Sequence, residues 1–464
     1  MPDIRNPFQL GNGNFAFGAD ITGLQTFENE YNRGLPLSTM SHTLWHSHPE
    51  PPGYTYSEYP RLEINHHGRK SRYLAPPDGP NRAHAEYLRR NPHRLNLGRV
   101  FFHAEGLDGF DDLKDVRQEL DLWTGILSSS FTFRGAPVRV RTAVAAELDE
   151  LGVIIESPLL TDGTLRVRLA FPYGQAEYGG NNADWNHPLN HQTVFEPMDG
   201  GALFHRTLDE TSYQVRLKTD SGVIARPGEH EFEITASGPI LEIGVLFNGG
   251  ELPFSASKVL DSSRRGWGGF WNSGGCLEVA DGPTEQAAEL EHRVVLSEYL
   301  TRINCSGPLP PAETGLACNS WSGRFHLEMH WWHGVHFGLW DRPELLFRSM
   351  DFYRRLLPLA RSIAAEQGFA GARWPKSAGP AGYPVPSPIE PWLVWHVPHP
   401  IYYAELFYRR RRSPEILDYF AGIVDETAAF LADFLHQEAD GRCQLGPPLL
   451  DAAEREVHRR AEEP

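Results

Sequence analysis

The chain has 464 residues, 40% of them hydrophobic and 11% aromatic, so it can bury sizeable cores and is too long for one ordinary domain. Its formal net charge of −17 at pH 7 argues against nucleic acid and anionic membranes as partners, because both are negatively charged. An acidic surface says little about neutral ligands such as sugars.

The cysteines and the amino terminus predict a cytoplasmic protein. Cys276, Cys305, Cys318 and Cys443 are widely spaced and form no CxxC pair, so we expect reduced thiols. The first residues contain no apolar signal-peptide core, and no apolar run approaches the roughly 20 residues that span a bilayer. A secreted protein without its leader would show the same features.

Residues 1–254 are predicted to form an antiparallel β-sandwich domain. Residues 126–145 alternate between apolar and polar on both sides of an Arg-Gly-Ala-Pro segment, which indicates a hairpin. More short alternating runs follow, each ended by Gly, Pro, Asp or Asn. The Gly-rich residues 11–18 match neither a P-loop nor a dinucleotide-binding pattern, so we interpret them as a turn of the sandwich.

After residue 255 the hydrophobic period changes to about 3.6 residues, which predicts helices. Residues 255–282 are predicted to be a linker helix region and residues 283–464 a helical-hairpin domain. Helices are expected at 283–303, at 342–368 with a bend at Pro358, after Pro400, and at 413–438. The loops between them carry the unusual residues and are expected to gather at one end.

The first cluster of residues that could take part in binding or catalysis is NSWSGRFHLEMHWWHGVHFGLW, residues 319–340. It contains four histidines, four tryptophans and one carboxylate, Glu328. His326, His330 and His333 would share one helical face and could bind zinc, although the order of residues does not match HExxH. Packing into a core and a carbohydrate-binding wall are the alternatives, since sugars offer C–H faces to aromatic rings and hydroxyls to polar groups.

The second cluster is the loop at 371–400, which contains one carboxylate, Glu390. A long loop inside a compact domain is usually functional, and its aromatic content argues against disorder. Packing of the loop against the sandwich domain is the alternative. The candidate stacking and donor residues of this loop are Trp374, Tyr383, Trp392, Trp395, Arg373, Lys376, His396 and His399.

Four segments together resemble the six-hairpin glycosidase superfamily. They are LGNGNFAFGADITGLQTF (10–27), FHLEMHWWH (325–333), GARWP (371–375) and PHPIYYAEL (398–406). Within that superfamily the chain is most similar to glycoside hydrolase family 65, which includes disaccharide phosphorylases and hydrolases, and to an uncharacterised bacterial branch. The resemblance covers nearly the whole chain and implies an (α/α)6-type barrel with its site in the hairpin loops.

The resemblance also implies inverting chemistry. A glutamic acid protonates the departing glycosidic oxygen, and water activated by a second carboxylate, or phosphate, attacks the opposite face. For a water-using enzyme the two carboxyl groups should be about 6.5–9.5 Å apart. Neither a metal nor another cofactor is expected, and the expected partner is an oligosaccharide substrate.

This chain keeps only some of the residues of the family's motifs. Where the family has Trp-Asp-x-Glu, this chain has Phe325–Glu328 and keeps only the glutamate, so Glu328 is a candidate sugar ligand. The family places its acid in a Gly-x-Glu context, and here Gly382 is followed two residues later by Pro384, which cannot transfer a proton. Glu390 is the nearest replacement and the candidate catalytic acid. The other candidate substrate-binding residues are His326, Trp331, Arg373, Trp374, Lys376 and His399.

The predicted helices after residue 283 are about half of those that an (α/α)6 barrel contains, so the resemblance implies a barrel that is incomplete in this chain. A half-barrel would expose an apolar face at about 25 cal/mol per Å². A homodimer, aggregation or a partner segment would follow. The expected function is cleavage of glycosidic bonds in oligosaccharides by an inverting hydrolase or phosphorylase, and the alternative is a truncated or degenerate relative that only binds sugars.

Overall fold

A computed structural model describes residues 3–249, 255–282 and 284–446 of the chain. The chain folds into two compact units, each built from more than one stretch of the sequence. The β-rich unit consists of Met1–His48, His93–Gly307 and Thr314–Gly323. The helical unit consists of Pro49–Pro92, Pro308–Glu313 and the described part of Arg324–Pro464.

The strands of the described residues are mostly short and lie mainly before residue 250. In chain order they are β1 (Phe8–Gly11), β2 (Phe15–Ala19), β3 (Thr39–His46), β4 (Arg61–His66), β5 (Arg69–Leu74), β6 (His93–Asn96), β7 (Arg99–His103), β8 (Lys114–Asp121), β9 (Ile126–Phe133), β10 (Ala136–Val144), β11 (Glu150–Glu156), β12 (Arg166–Ala170), β13 (Tyr173–Gly174), β14 (Gly179–Gly180), β15 (Ala183–Asp184), β16 (His191–Met198), β17 (Gly201–Leu208), β18 (Thr211–Thr219), β19 (Gly222–Ala225), β20 (Glu231–Ala236), β21 (Ile240–Phe247), β22 (Asn319–Ser320), β23 (Phe325–His326), β24 (Ser377–Ala378), β25 (Leu435–Gln437) and β26 (Cys443–Leu445).

The longer helices lie after residue 255. The α-helices are α1 (Glu28–Tyr31), α2 (Arg82–Arg90), α3 (Ala256–Trp271), α4 (Glu285–Cys305), α5 (Leu327–Leu339), α6 (Pro343–Phe347), α7 (Met350–Glu366), α8 (His399–Arg410) and α9 (Pro414–Asp433). Single 3-10 turns occur at Tyr56–Glu58, Gly79–Asn81, Phe110–Asp112, Pro158–Leu160, Pro188–Asn190, Trp321–Gly323 and Glu390–Trp392.

Three antiparallel sheets build the β-rich unit. The largest has eight strands in the order β16-β17-β18-β21-β11-β10-β9-β8, and the two others have four strands each, β1-β2-β3-β6 and β19-β20-β12-β7. Alternate residues of these strands point into one continuous apolar core, to which all three sheets contribute. The predicted β-rich amino-terminal region is confirmed, and strands also occur within residues 3–100, where the sequence is irregular.

The predicted hairpin at 126–145 is present, with a tighter turn than the sequence suggested. β9 and β10 pair from Phe133 opposite Ala136, so the turn is Arg134–Gly135, both with positive φ (48° and 77°). Two residues of positive φ match the right-handed twist of the flanking strands. Ala136 and Pro137 therefore belong to the strand and not to the turn.

The Gly-rich segment at 11–18 contains the predicted turn, which is residues 12–14 between β1 and β2. Asn12 organises it: its side-chain oxygen accepts hydrogen bonds from the amides of Asn14 and Phe15, both at 2.9 Å. Its side-chain nitrogen donates to the carbonyl oxygens of Ala145 and Leu148, also at 2.9 Å. The asparagine thus fastens this turn to the end of β10.

Helix α3, predicted at 255–271, packs against β10, β11 and β21 of the large sheet. The approach is close because β11 has a glycine under the helix. A Cβ atom built on Gly152 would lie 2.5 Å from Cβ of Val259 and 3.1 Å from the carbonyl oxygen of Ala256. Helix α4 also belongs to the β-rich unit, where it packs on β1 and β2.

In the helical unit, α5 packs against α6 and α8, and α9 packs against α7 and α8. The helix predicted at 342–368 is two helices, α6 and α7, separated at Arg348–Ser349, and α7 continues through Pro358. Ser349 marks the break, because its hydroxyl bonds to the carbonyl oxygen of Leu346 (2.9 Å) and to Nε2 of His330 (3.0 Å). Ser413 caps α9, accepting a hydrogen bond from the amide of Ile416.

Residues 49–92 group with the helices, although the sequence places them in the predicted sandwich domain. Their hairpin β4–β5 is fastened to α7 and α9 by ion pairs, Arg61 with Glu366 (2.7 Å) and Arg69 with Asp433 (2.7 and 2.9 Å). The spacing of hydrophobic residues cannot reveal this grouping, since the contacts concerned join residues about 300 or more positions apart in the sequence. Among the described residues, no helix combines the length and apolar character needed to cross a bilayer.

We predict that Gly152→Ala lowers the free energy of unfolding by about 1–3 kcal/mol, because the added methyl group must displace α3 from the sheet. Urea denaturation checks this. Gly238→Ala is the matched control, since a Cβ there would meet no described atom within 4 Å. Equal stability of the two variants would contradict the close packing of α3.

Candidate functional site

The candidate site is organised by the pairing of two short strands from the two predicted clusters. β23 and β24 run antiparallel with His326 opposite Ser377, and the amide of Leu327 donates to the carbonyl oxygen of Lys376 (2.8 Å). The segments FHLE and PKSA therefore lie side by side. This pairing brings together residues about 50 positions apart in the sequence.

A largely buried ion pair forms beside this strand pair. Nζ of Lys376 lies 3.1 Å from Oε1 of Glu328, and the side chains are 9% and 12% exposed. Glu328 is in the first turn of α5, where unpaired amide groups and the helix dipole favour a negative charge. Both features stabilise Glu328 as a carboxylate.

Glu390 lies at the start of a 3-10 turn and is half-buried. The hydroxyl of Ser377 lies 2.8 Å from Oε1 and 2.7 Å from Oε2 of Glu390 and can donate to either. Burial raises the pKa of Glu390 to about 7, against the opposing effects of the Ser377 hydrogen bond and the Lys376 charge. The nearby charge of Glu328 adds to the increase. Near neutral pH, Glu390 is therefore poised to hold or release a proton.

Arg373 fixes the turn that carries Glu390. The guanidinium is 3% exposed and donates to the carbonyl oxygens of Pro391 (2.6 Å) and Leu393 (3.2 Å). Burial lowers the pKa of Arg373 to about 10, so it remains a cation at neutral pH. The residue predicted as a substrate donor thus has its guanidinium engaged with the backbone next to Glu390.

Pro384 and Glu390 line one cavity. Pro384 forms a bridge with Ala378 of β24, which places it in the wall of this cavity. The volume of this cavity that the centre of a water molecule can occupy is about 30 Å³. A buried water needs about 10–15 Å³ on this measure, so the cavity holds about two waters. The other lining residues include Tyr56, Tyr73, Arg373 and Lys376.

Trp374 lies behind this cavity in the helical core. Its indole is 1% exposed, donates from Nε1 to the hydroxyl of Thr427 (2.9 Å) and meets the ring of Tyr353 edge-on at 5.1 Å. Its carbonyl oxygen accepts a hydrogen bond from Nε2 of buried His396 (3.0 Å). The ring supports the site from behind and offers no open face for stacking in this structure.

Open aromatic surface occurs instead beside the start of α5. The ring of Trp331 lies 4.1 Å from that of Tyr402 and 5.0 Å from that of His399. Trp395 is 38% exposed, with its ring 5.5 Å from that of His399. Nδ1 of His399 donates to the carbonyl oxygen of Leu327 (3.4 Å), so this aromatic face adjoins the helix turn that carries Glu328. Burial lowers the pKa of His399 to about 4, so it is neutral at pH 7.

The three histidines considered for zinc bond to separate partners. Nδ1 of His326 donates to the carbonyl oxygen of Arg324 (3.2 Å), and Nε2 of His333 donates to that of Glu313 (2.7 Å). His330 is buried with its ring nitrogens 3.0 Å from the hydroxyls of Tyr353 and Ser349. Within residues 3–249, 255–282 and 284–446, these three histidines do not gather as a metal-ligand group.

Ser377 is the functional candidate that the sequence reasoning missed. A serine beside a lysine in a loop is unremarkable in a sequence. Its position becomes significant only because β23 and β24 pair, which directs it towards Glu390. The sequence signal that existed was its place directly after Lys376 in the GARWP loop.

Comparison with known proteins supports the fold. No protein-family model and no curated protein matches this chain. A solved structure from the human microbiome, assigned as a kojibiose phosphorylase, is similar with a TM-score of 0.64 and 12% identity over 94% of this chain. A bacterial glucoamylase complexed with acarbose is similar over 73% of this chain and 53% of its own, with 10% identity and a TM-score of 0.44, too low to support a shared fold.

The similarity to the first of these structures concerns the fold alone, because the identity is so low. It agrees with a β-rich amino-terminal region followed by a helical carboxy-terminal region, the coarse architecture that the resemblance implied. This chain spans 58% of the length of that protein.

We predict that Lys376→Met lowers the free energy of unfolding by about 3–5 kcal/mol, because it leaves the carboxylate of Glu328 buried without its cation. The double variant Lys376→Met with Glu328→Gln should lose less free energy of unfolding than Lys376→Met alone. Urea denaturation measures both.

Arg409→Met is the control for the ion pair, because Arg409 and Glu405 form an exposed pair within α8. It should cost less than about 1 kcal/mol. A Lys376→Met variant as stable as Arg409→Met would contradict a buried pair at the site.

Proposed function

We propose that this chain is a carbohydrate-active protein of the inverting glycoside hydrolase or phosphorylase type, which cleaves glycosidic bonds in oligosaccharides with Glu390 as the general acid. The observation that carries the proposal is a half-buried carboxyl group with a pKa of about 7, lining one cavity with Pro384, the position where the resemblance expects the acid. Glu390 thus has the proton affinity and the place required of a replacement.

The acid role follows from the burial of Glu390, which raises the pKa of its carboxyl group. A general acid must hold its proton at the working pH and still release it readily, which a pKa near 7 provides. In the proposed reaction Glu390 protonates the departing glycosidic oxygen while phosphate, or water that gives up a proton to a second carboxylate, attacks the opposite face of the sugar. Ser377 then donates its hydrogen bond to the carboxylate that forms.

The two carboxyl groups are assigned different roles because their surroundings differ. Glu328 is paired with Lys376 at a helix start and stays ionised, so we assign it to accept hydrogen bonds from sugar hydroxyls. His326 and His399 are neutral and lie beside the same helix turn, where they would contact further hydroxyls. The rings of Trp331 and Trp395 would stack on the C–H faces of the sugar.

The proposal extends to the scaffold. The pairwise packing of α5 to α9 and the strand-paired loops at their ends support assignment of the helical unit to an (α/α)6-type barrel of the six-hairpin superfamily. The fold similarity to the structure assigned as a kojibiose phosphorylase supports a carbohydrate-active protein in general terms.

A second candidate function is sugar binding without turnover. It is favoured by the size of the cavity at Glu390, which has room for about two waters and not for a sugar ring. In that case the aromatic face of Trp331, Trp395 and His399 would bind the oligosaccharide, and Glu390 would serve as an internal proton-holding group.

The two functions are separated by assaying the 464-residue chain with a panel of α- and β-linked disaccharides, with and without phosphate. Release of reducing sugar or sugar phosphate, reduced at least about 100-fold by Glu390→Gln, is the result that we expect for a general acid. Glu405→Gln is the matched control, since Glu405 is an exposed carboxylate of α8 that does not line this cavity. Calorimetric binding of oligosaccharides without turnover, unchanged in Glu390→Gln, would establish the second function instead.

We predict that Ser377→Ala shifts the pH profile of turnover to higher pH. The reaction needs protonated Glu390, so the rate should fall as pH rises through about 7. Removing the hydroxyl that stabilises the carboxylate raises the pKa of Glu390, which moves this falling limb upward. An unshifted limb in Ser377→Ala would exclude Glu390 as the titrating group.

A further inference from the structure

Three histidines of the β-rich unit converge although they are distant in sequence. His46 and His48 are separated by one residue and, with the period of two in an extended chain, point to the same side. His46 ends β3 and lies directly opposite His93, the first residue of β6. The strand register therefore gathers three imidazoles on one face of the four-stranded sheet.

The three rings are close enough to share an ion. Their candidate ligand nitrogens all lie within 4.8 Å of one another, and Nδ1 of His46 is 3.1 Å from Nε2 of His93. Zinc binds imidazole nitrogen at about 2.0–2.1 Å, which puts tetrahedral ligands about 3.4 Å apart. Only small side-chain movements separate the observed arrangement from coordination.

Hydrogen bonds fix the tautomers of two of the three rings, and Nε2 of His93 then donates to Nδ1 of His46, a proton that a bound metal ion would displace. Nε2 of His46 donates to Oδ2 of Asp209 (2.9 Å), and Nε2 of His48 donates to the carbonyl oxygen of Gly174 (3.1 Å). Each of these two rings therefore carries its proton on the outer nitrogen and its lone pair on Nδ1. Outer hydrogen bonds of this kind, to a carboxylate and a backbone carbonyl, are typical of metal-bound histidines.

The carboxylate that orients His46 is itself held in place. Asp209 occupies the two-residue turn between β17 and β18 with a positive φ of 48°. Its Oδ2 also accepts a hydrogen bond from the hydroxyl of Tyr173 (2.6 Å). An aspartate is one of the few side chains that tolerate this backbone conformation, so both its backbone and its side chain are fixed.

Gly174 keeps the space beside the histidines open. A Cβ atom at this position would lie 2.3 Å from Nδ1 of His46, the nitrogen that carries the lone pair. A larger residue would therefore block the approach to this nitrogen. Gly174 contributes twice, through its missing side chain and through its carbonyl oxygen, which accepts from His48.

We propose that His46, His48 and His93 form a binding site for a divalent transition-metal ion of the zinc class. Three imidazole donors favour zinc, copper or nickel over magnesium or calcium, which prefer oxygen ligands. Three protein ligands leave a fourth position for water or an exogenous ligand. His46 and His93 are fully buried and His48 is partly exposed, which gives the ion a path from solvent.

A nearby pair of histidines is unsuitable for binding a metal ion. His191 and His230 stack at 3.7 Å, but the guanidinium of Arg206 donates to Nδ1 of His191 (2.6 Å) and lies 3.4 Å from Nδ1 of His230. A cation already occupies that space, so a metal ion would be repelled. The cluster of His46, His48 and His93 has a carboxylate as its outer partner instead.

The test is zinc binding to the full chain after removal of metals with a chelator, measured by equilibrium dialysis and elemental analysis. To isolate the site, the chain carries His436→Gln, which disrupts a second, more exposed group of His67, His436 and Glu438. We expect one zinc per chain, an upward shift of the melting temperature with zinc, and a cobalt derivative with the visible spectrum of a four-coordinate ion.

His48→Gln should weaken zinc binding at least about 100-fold, and Asp209→Asn about 10–100-fold through loss of the outer hydrogen bond. His48 is the least buried ligand, so its variant is the one expected to fold. His205→Gln, at a partly exposed histidine in β17, should bind zinc as the parent does. Absence of zinc from the parent chain, or full binding by His48→Gln, would overturn the proposal.

Discussion

The candidate site depends on one short backbone pairing, that of β23 with β24. Two strands of two residues each contribute little area, yet they fix which side chains meet. Lys376 is delivered to Glu328 and Ser377 to Glu390 by the same register. A shift of one residue would turn each side chain to the opposite face and separate both pairs.

The two carboxyl groups of the site have different charged and polar neighbours. Two carboxyl groups lie near one lysine, which forms an ion pair with Glu328 at 3.1 Å, and Glu328 also benefits from the amino terminus of α5. Glu390 accepts a hydrogen bond from a neutral hydroxyl. Most of the increase in its pKa that burial causes therefore remains. The two carboxyl groups therefore differ in proton affinity. Such a difference is the usual basis for assigning one carboxyl group as the acid and the other as a ligand.

The sequence predicts the local structure of this protein better than its long-range contacts. Alternation and turn residues identify the hairpin β9–β10, and helical periodicity identifies α3 and α9. The break between α6 and α7 escapes such patterns, because it rests on the hydroxyl of Ser349, which bonds to a histidine of another helix. Residues 49–92, which the sequence places in the predicted sandwich domain, group with the helical unit, and long-range pairs such as Arg69 with Asp433 leave no periodic signal.

The candidate site is predictable in its parts. Residue types single out both segments, and Glu390 is the carboxylate nearest to Pro384 in the sequence. The sequence could not show that Trp374 is enclosed or that Ser377 faces Glu390, since both depend on how distant segments pack. Nor does the spacing of His46 and His48 carry meaning until His93 lies beside them on the neighbouring strand.

The proton affinity of Glu390 is the central claim, and a direct titration tests it. Infrared difference spectra between the parent chain and Glu390→Gln isolate the carboxyl band of this residue as a function of pH. We expect a midpoint near pH 7. Between the ordinary value of 4.5 and 7 the folded chain then binds this proton more tightly than the unfolded chain, so stability falls as pH rises. A midpoint near 4.5 would contradict it, because Glu390 would then be an ordinary carboxylate with no proton to give at neutral pH.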